Sequence, residues 1–300
     1  MRIAYLGPEG TFTEAALWKF ATRLGLESVD TIAATNPREA IAAVVAGQAD
    51  YACVAIENSV DGPVTPTFDA LATIEGVRIF HELDLPIAFA IMQRTGAPLR
   101  RFATHPVAYQ QVKTWLAANA PAAEFVPASS NAEAARMAKE KIVDFAAAPA
   151  RAADVYGLNI IADGVADVTG ARTRFVLVGH ADTPTPRTGH DRTSVVFTLK
   201  NEPGSLVGAL SEFAMRGVDL TRIESRPIEE GLGTYRFHVD INGHIDDLNV
   251  AEALRALYPR CNALKFIGSW PAISGQPVTA VDPTVAQAAS AWVEAARNGA

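Results

Sequence analysis

Short apolar runs, each ending in a turn that opens a capped helix, constrain this chain more than any other feature. Residues 2–6 form such a run, and Gly7-Pro8-Glu9-Gly10 turns the chain. Thr11-Phe12-Thr13-Glu14 then has the form of a capping box, a hydroxyl and a carboxylate three residues apart, ahead of a helix over 15–24. Asn36-Pro37-Arg38-Glu39 repeats the start signal for a helix running to about Gly47, and 51–56 is the next apolar run. Continuous apolar runs alternating with helices predict parallel strands joined by crossovers, an α/β fold. In such sheets ligands bind beyond the carboxyl ends of the strands. That directs attention to Glu57-Asn58-Ser59, three polar residues at a strand end, followed by Gly62 and a helix entered through Thr65-Pro66-Thr67.

The alternation continues. Strands are expected at 77–82, 85–92, 125–126, 143–148, 159–162 and 173–178, with helices over 107–118, 131–140 and 149–156. Thr104-His105-Pro106 is a further strand end; there His105 has two readings, acid–base group or helix cap. The pattern yields two small lobes, roughly 1–82 with 163–180, and 83–162, with a cleft between them. The candidate segments 7–14, 57–67, 104–106 and 170–175 all sit at strand ends. In the last of these, Gly170-Ala171-Arg172-Thr173-Arg174-Phe175 places one hydroxyl between two guanidinium groups in a chain of net charge −7. Arg recognises carboxylates in two-pronged fashion and Thr adds a rotatable donor, so a small dicarboxylate is the expected occupant.

Residues 181–192 are rich in Pro, Thr and Gly and read as a linker. From 193 to 271 the order is strand, helix, strand, strand, helix, strand, a ferredoxin-like split unit. It includes a hairpin turn at Gly231-Leu232-Gly233 and a helix with Leu206, Leu210 and Phe213 on one face. The tail 272–300 carries an Ala-rich helix over 284–297 with Val285, Ala289, Trp292 and Ala296 on one side. The negative charge argues against a nucleic-acid or anionic-membrane surface. Cys53 and Cys261 have no metal-ligand or disulfide-framework spacing, and no HExxH or paired Cys/His motif occurs, so no metal or organic cofactor is expected. The N-terminus lacks the pattern of a signal peptide and no run is long enough to span a bilayer, which predicts a cytoplasmic protein.

Five motifs in order resemble prephenate dehydratase with a C-terminal ACT domain. They are Gly7-Pro8-Glu9-Gly10-Thr11-Phe12-Thr13; Ile56-Glu57-Asn58-Ser59 with Gly62 and Thr67; Thr173-Arg174-Phe175; Asn201-Glu202-Pro203-Gly204-Ser205-Leu206; and Glu224-Ser225-Arg226-Pro227. Two segments depart from the family pattern. Thr104-His105-Pro106-Val107 stands where Ser-His-Pro-Gln is common, and Thr169-Gly170-Ala171-Arg172 lacks the usual Asn. The chain begins directly at the dehydratase motif, so a preceding chorismate mutase domain, as some relatives carry, is not expected.

The resemblance implies a two-lobed catalytic domain over 1–180, similar to type II periplasmic binding proteins, and a regulatory ACT domain over 193–271. It also implies conversion of prephenate to phenylpyruvate, water and carbon dioxide, with phenylalanine as feedback effector. Arogenate dehydratase and a non-catalytic amino-acid-sensing or small-molecule-binding protein are the alternatives. Thr173 would contact the departing hydroxyl and Arg174 a carboxylate. Thr11, Asn58, Ser59, Thr104 and Arg172 would orient the substrate. A Thr hydroxyl is too weak an acid to serve as the proton source near neutral pH, which makes Thr173 an oriented donor or relay. Asn201, Gly204, Leu206, Glu224 and Ser225 would hold the effector between paired ACT domains of a homodimer or homotetramer.

Overall fold

The computed structural model describes residues 1–228, 234–273 and 283–298. Its contacts define two units, one of Met1–Val77 with Leu83–His180 and the other of Arg78–Glu82 with Ala181–Ala300.

The first unit is two α/β lobes. The first lobe holds β1 (Arg2–Leu6), α1 (Phe12–Arg23), β2 (Asp30–Ala34), α2 (Pro37–Val45), β3 (Tyr51–Asn58), β4 (Gly62–Pro63), α3 (Thr65–Thr73) and β5 (Val77–Pro86). The chain crosses at Ile87 into β6 (Phe89–Gln93), β7 (Arg101–Thr104), α4 (Pro106–Tyr109), α5 (Lys113–Asn119), β8 (Glu124–Pro127), α6 (Asn131–Lys139), β9 (Phe145–Ala148), α7 (Arg151–Tyr156) and β10 (Asn159–Val165). It then returns as β11 (Arg172–His180). The sheets have the orders β2-β1-β3-β11-β5, with β4 beside β3, and β10-β6-β9-β7-β8. β1 runs parallel to β2 and β3, whereas β11 enters antiparallel to β3. The two crossings lie side by side, Ile87 N donating to the Ala171 carbonyl at 2.8 Å.

The helix starts read at Thr11 and Asn36 are made, and Ser130 caps a third helix in the same way. Thr11 Oγ1 accepts from Glu14 N at 3.3 Å, Asn36 Oδ1 from Glu39 N at 2.9 Å, and Ser130 Oγ from Glu133 N at 3.0 Å. Three departures have physical causes. β2 escaped notice because only its last residue, Ala34, is buried, so it has no apolar run. The expected helix over 107–118 is split into α4 and α5, because the Gln111 carbonyl and side chain are taken by Asp167 N at 2.7 Å and Val168 N at 3.3 Å. The expected strands 77–82 and 85–92 are instead one strand to Pro86 and another from Phe89, with no break at the acidic residues. Glu82 stays inside β5 because it is charge-paired, as follows.

The second unit contains β12 (Asp191–Leu199), α8 (Ser205–Ala214), β13 (Leu220–Pro227), β14 (Tyr235–Asn242), α9 (Leu248–Leu257), β15 (Cys261–Pro271) and, near the C-terminus, α10 (Pro283–Arg297). The sheet order β13-β14-β12-β15 is that of a ferredoxin-like unit. Val195, Phe197, Phe213, Val239, Ile241 and Leu257 form its core. Asp191 and Arg192, read as the end of the linker, are buried members of β12. Glu82, 1% exposed, accepts from Trp270 Nε1 at 2.9 Å and Ile273 N at 2.8 Å, and its carboxylate lies 3.1 Å from Arg192. The expected turn at 231–233 lies outside the described residues. In α10, Trp292 is exposed. No helix among the described residues is long and apolar enough to cross a membrane.

Removing one partner of a buried ion pair strands the other charge. Arg192→Ala is expected to lower unfolding free energy by about 3–5 kcal/mol, read as a fall in the urea midpoint. An unchanged midpoint would show that Glu82 does not depend on it.

Candidate active site

The site is built on the antiparallel pairing of β3 with β11, which sets Thr173 opposite Asn58. The Asn58 amide is oriented without ambiguity. Its Oδ1 accepts from Val60 N at 2.8 Å and Asp61 N at 3.1 Å, so Nδ2 is the atom that faces Thr173. An NH₂ can only donate, and it does so to Thr173 Oγ1 at 2.9 Å. The hydroxyl is therefore an acceptor in this bond and keeps its own proton for another partner.

Thr173 lines a cavity of about 110 Å³ between the two lobes of the first unit. Phe12, Asn58, Asp61 and Ala171 line it from the first lobe and the return segment. Ile87 and Phe89 line it at the crossing, and His105, Val107, Ala108, Gln111 and Asn131 from the second lobe. One wall is apolar: the Phe12 and Phe89 rings meet edge to face at 5.4 Å. The lining has no Lys or Arg. Its acidic member is Asp61, and the groups that would favour an anion are the first turns of α1 and α6, which supply Phe12 and Asn131.

Thr173 and Arg174 do not converge. Successive residues of a strand point to opposite faces, and Arg172 and Arg174 lie with Glu57, Ser59 and Asp84 around a separate cavity of about 220 Å³. Arg174 is 3.2 Å from Glu57 and 3.4 Å from Asp84, and Arg172 is 4.0 Å from Asp84. Ser59 is spent on strand pairing: its Oγ accepts from Arg172 N at 2.9 Å, and its N donates to the Arg172 carbonyl at 2.9 Å. Thr11 caps α1 and donates to the Leu6 carbonyl at 3.2 Å, and it does not line the Thr173 cavity.

Thr104 is fully buried and donates to the Ala147 carbonyl at 2.9 Å. It stands 3.2 Å from Asn131 Oδ1, which also accepts from His105 N at 3.2 Å. Thr104 and His105 thus hold Asn131 in place. The His105 ring lines the cavity while its Nδ1 accepts from Val107 N at 3.3 Å, the capping role. Asn131 and Gln111 were not foreseen. Asn131 follows a strand end at β8 and was legible by the rule applied to Asn58, whereas Gln111 looked like an ordinary helical residue.

In the second unit, Gly204 adopts a left-handed conformation, φ +81°, at the cap of α8, which a side chain would strain. Asn201 is exposed and Leu206 packs partly on the core. Glu224 and Ser225 lie on β13, the edge strand, with alternating exposure. Among the described residues, no group of three or more His, Cys, Asp or Glu is placed to hold a metal ion.

The prephenate dehydratase family profile matches residues 3–183 and the ACT domain profile residues 193–257. A prephenate dehydratase from Corynebacterium glutamicum is 54% identical over 304 aligned residues, 99% of this chain and 96% of its own. The chain belongs to the prephenate dehydratase family. Among solved structures, prephenate dehydratase from Arthrobacter aurescens in complex with L-Phe aligns with TM-score 0.92 and 39% identity over 100% of both chains. A more divergent match is GqqA, described as a novel type of quorum quenching acylase. It has TM-score 0.80 and 30% identity over 91% of this chain and 98% of its own. Thr173-Arg174-Phe175, with Arg172 before it, thus sends a hydroxyl to one cavity and two guanidinium groups to another.

Asn58→Ala leaves the Val60 and Asp61 amides without their acceptor. Differential scanning fluorimetry is expected to register a loss of about 1–3 kcal/mol; an unchanged melting temperature would mean that water replaces the amide oxygen.

Proposed function

We propose that this chain is a prephenate dehydratase that converts prephenate to phenylpyruvate, water and carbon dioxide and is feedback-regulated by phenylalanine through its ACT domain. The observation that carries the reading is the Asn58–Thr173 pair, whose fixed polarity leaves the Thr173 proton directed away from Asn58.

The reaction needs little covalent chemistry, because the ring becomes aromatic as its carboxylate leaves as carbon dioxide and the opposite hydroxyl as water. The protein must hold a dianion, donate to the departing hydroxyl, and keep the leaving carboxylate dry. In this proposal Thr173 is the oriented donor and Asn58 sets its rotamer. The apolar wall of Phe12, Ile87 and Phe89 receives the leaving carboxylate. Carboxylate recognition, expected of Arg174, falls instead to Asn131, Gln111 and the N-terminal turns of α1 and α6. Arg174 and Arg172 brace the strand through Glu57 and Asp84.

The likeness to GqqA raises acyl hydrolysis as a second reading. A nucleophilic hydroxyl needs a base to take its proton. The Asn58 amide gives Thr173 Oγ1 a donor and not a base, which favours the dehydratase.

Regulation rests on the ACT match and on the L-Phe complex of the Arthrobacter relative. In the proposal the Gly204 turn binds the effector's carboxylate and Glu224 its ammonium, with Asn201, Leu206 and Ser225 completing the site. β13 is an edge strand carrying exposed Ile223, and α8 exposes Val207. Such an edge is a template for pairing with a second copy, in keeping with a homodimer or homotetramer.

Phenylpyruvate formation is to be followed with prephenate and with arogenate. Thr173→Ala is expected to lower kcat about 100- to 1,000-fold. Asn58→Asp, which presents an acceptor and turns the Thr173 proton back toward itself, should behave alike. Full turnover by folded Thr173→Ala refutes the assignment. Phenylalanine at a hundred times its Kd is expected to stabilise the protein by about 2.7 kcal/mol and to slow turnover; no effect on either would remove the regulatory part.

A further inference from the structure

Glu14 read from sequence as the far half of a capping box, yet its carboxylate does something else. It is 2% exposed and accepts from Gly10 N at 2.6 Å, Trp18 Nε1 at 2.8 Å and Arg151 Nη2 at 2.7 Å. Arg151 opens α7, in the other lobe. Around this bond the lobes fit closely. Tyr156 Oη donates to the Glu9 carbonyl at 3.2 Å, and the Arg151 guanidinium also lies over the Trp18 ring, 5.8 Å from its centre. A Cβ on Gly10 would come within 3.2 Å of the Ala152 methyl, so the approach depends on Gly facing Ala. Burial alone would push the Glu14 carboxyl up, but the bonds from Arg151, Gly10 and Trp18 outweigh it and hold the group below the ordinary carboxylate range.

We propose that the Glu14–Arg151 pair is an interlobe latch that positions the first turn of α1, and with it Phe12, against the second-lobe residues facing Thr173. The covalent crossings at Ile87 and Ala171 join the lobes without setting how far apart they stand. The latch adds a contact that the chain itself does not enforce, and it acts on the turn leading directly into the cavity wall. Glu14 and Arg151 are positioning residues here. Loosening the seam lowers the fraction of molecules in the closed, binding-competent arrangement. Apparent affinity then falls by that fraction, while the closed complex reacts as before.

The inference rests on the dehydratase reading, and the experiment separates the two. Wild-type turnover of prephenate tests the reading by itself. Hydrogen exchange of the segment 7–13, measured without substrate, tests the latch whatever the substrate is. In Arg151→Ala, exchange there is expected to accelerate and KM to rise about tenfold, in line with a lost charge-assisted hydrogen bond, while kcat holds. Arg151→Lys keeps the charge and should recover most of the KM. Ala152→Leu pries the same seam apart without touching a charge and should reproduce the KM rise. A folded Arg151→Ala with wild-type KM and wild-type exchange overturns the latch, as does a fall in melting temperature alone. If Arg151→Ala and Ala152→Leu do not fold, Arg151→Lys decides, an unchanged KM and exchange pattern counting against the proposal.

Discussion

The antiparallel return of β11 beside β3 is the constraint on which the rest depends. Parallel strands joined by helices build the β2-β1-β3 part of the first sheet, but the residue opposite Asn58 arrives from more than a hundred positions away. Register then decides everything local. A shift of one residue would exchange faces, sending Arg172 and Arg174 to the interlobe cavity and Thr173 to the acidic one. Ser59 reinforces the register by bonding the Arg172 backbone through both its hydroxyl and its amide. The Asn58 side chain does so beside it, through Thr173. Polar groups that look like substrate ligands in sequence are therefore partly committed to holding two strands in step.

That commitment explains where the sequence was legible and where it was not. Elements announced by local chemistry were readable: Thr11 and Asn36 cap the helices they appeared to cap. The ferredoxin-like order was readable because it follows from alternation alone. What failed was anything set by distant partners. Glu82 looked like the end of a strand but is neutralised by Arg192, far along the chain. Gln111 looked like one more turn of helix, yet the segment at 167–168 claims its carbonyl and amide. The motif Thr173-Arg174-Phe175 reads in sequence as a hydroxyl and a guanidinium meeting one ligand, whereas the pleat sends Thr173 and Arg174 to different cavities.

The electrostatics of the cavity follow from the same geometry. A basic pair in an acidic chain looked like an anion site, yet both guanidinium groups face Glu57 and Asp84. An anion at Thr173 would meet oriented dipoles in place of a guanidinium, with the Asp61 carboxylate as the acidic member of the lining. Backbone amides at helix starts are already aligned when the ligand arrives, so little reorganisation is needed. They also attract without the tight, slow-release grip of a buried ion pair, which suits a site whose product is still an anion.

Consider finally what the placement of β11 means while the chain is being made. In the first sheet β5 has β11 as its neighbour, and β11 divides it from β3. Until Arg172 and its successors leave the ribosome, that sheet can exist only as β2-β1-β3 with β4 beside β3, and β5 has no neighbour in it. The lobe spanning β6 to β10, by contrast, has all its strands before β11 appears. The inserted lobe is thus able to pack first, and its host is completed last by a long-range pairing of the kind that slows folding. The strand that carries Thr173 is also the keystone of assembly, so a nascent chain acquires its candidate active site only when the first sheet closes.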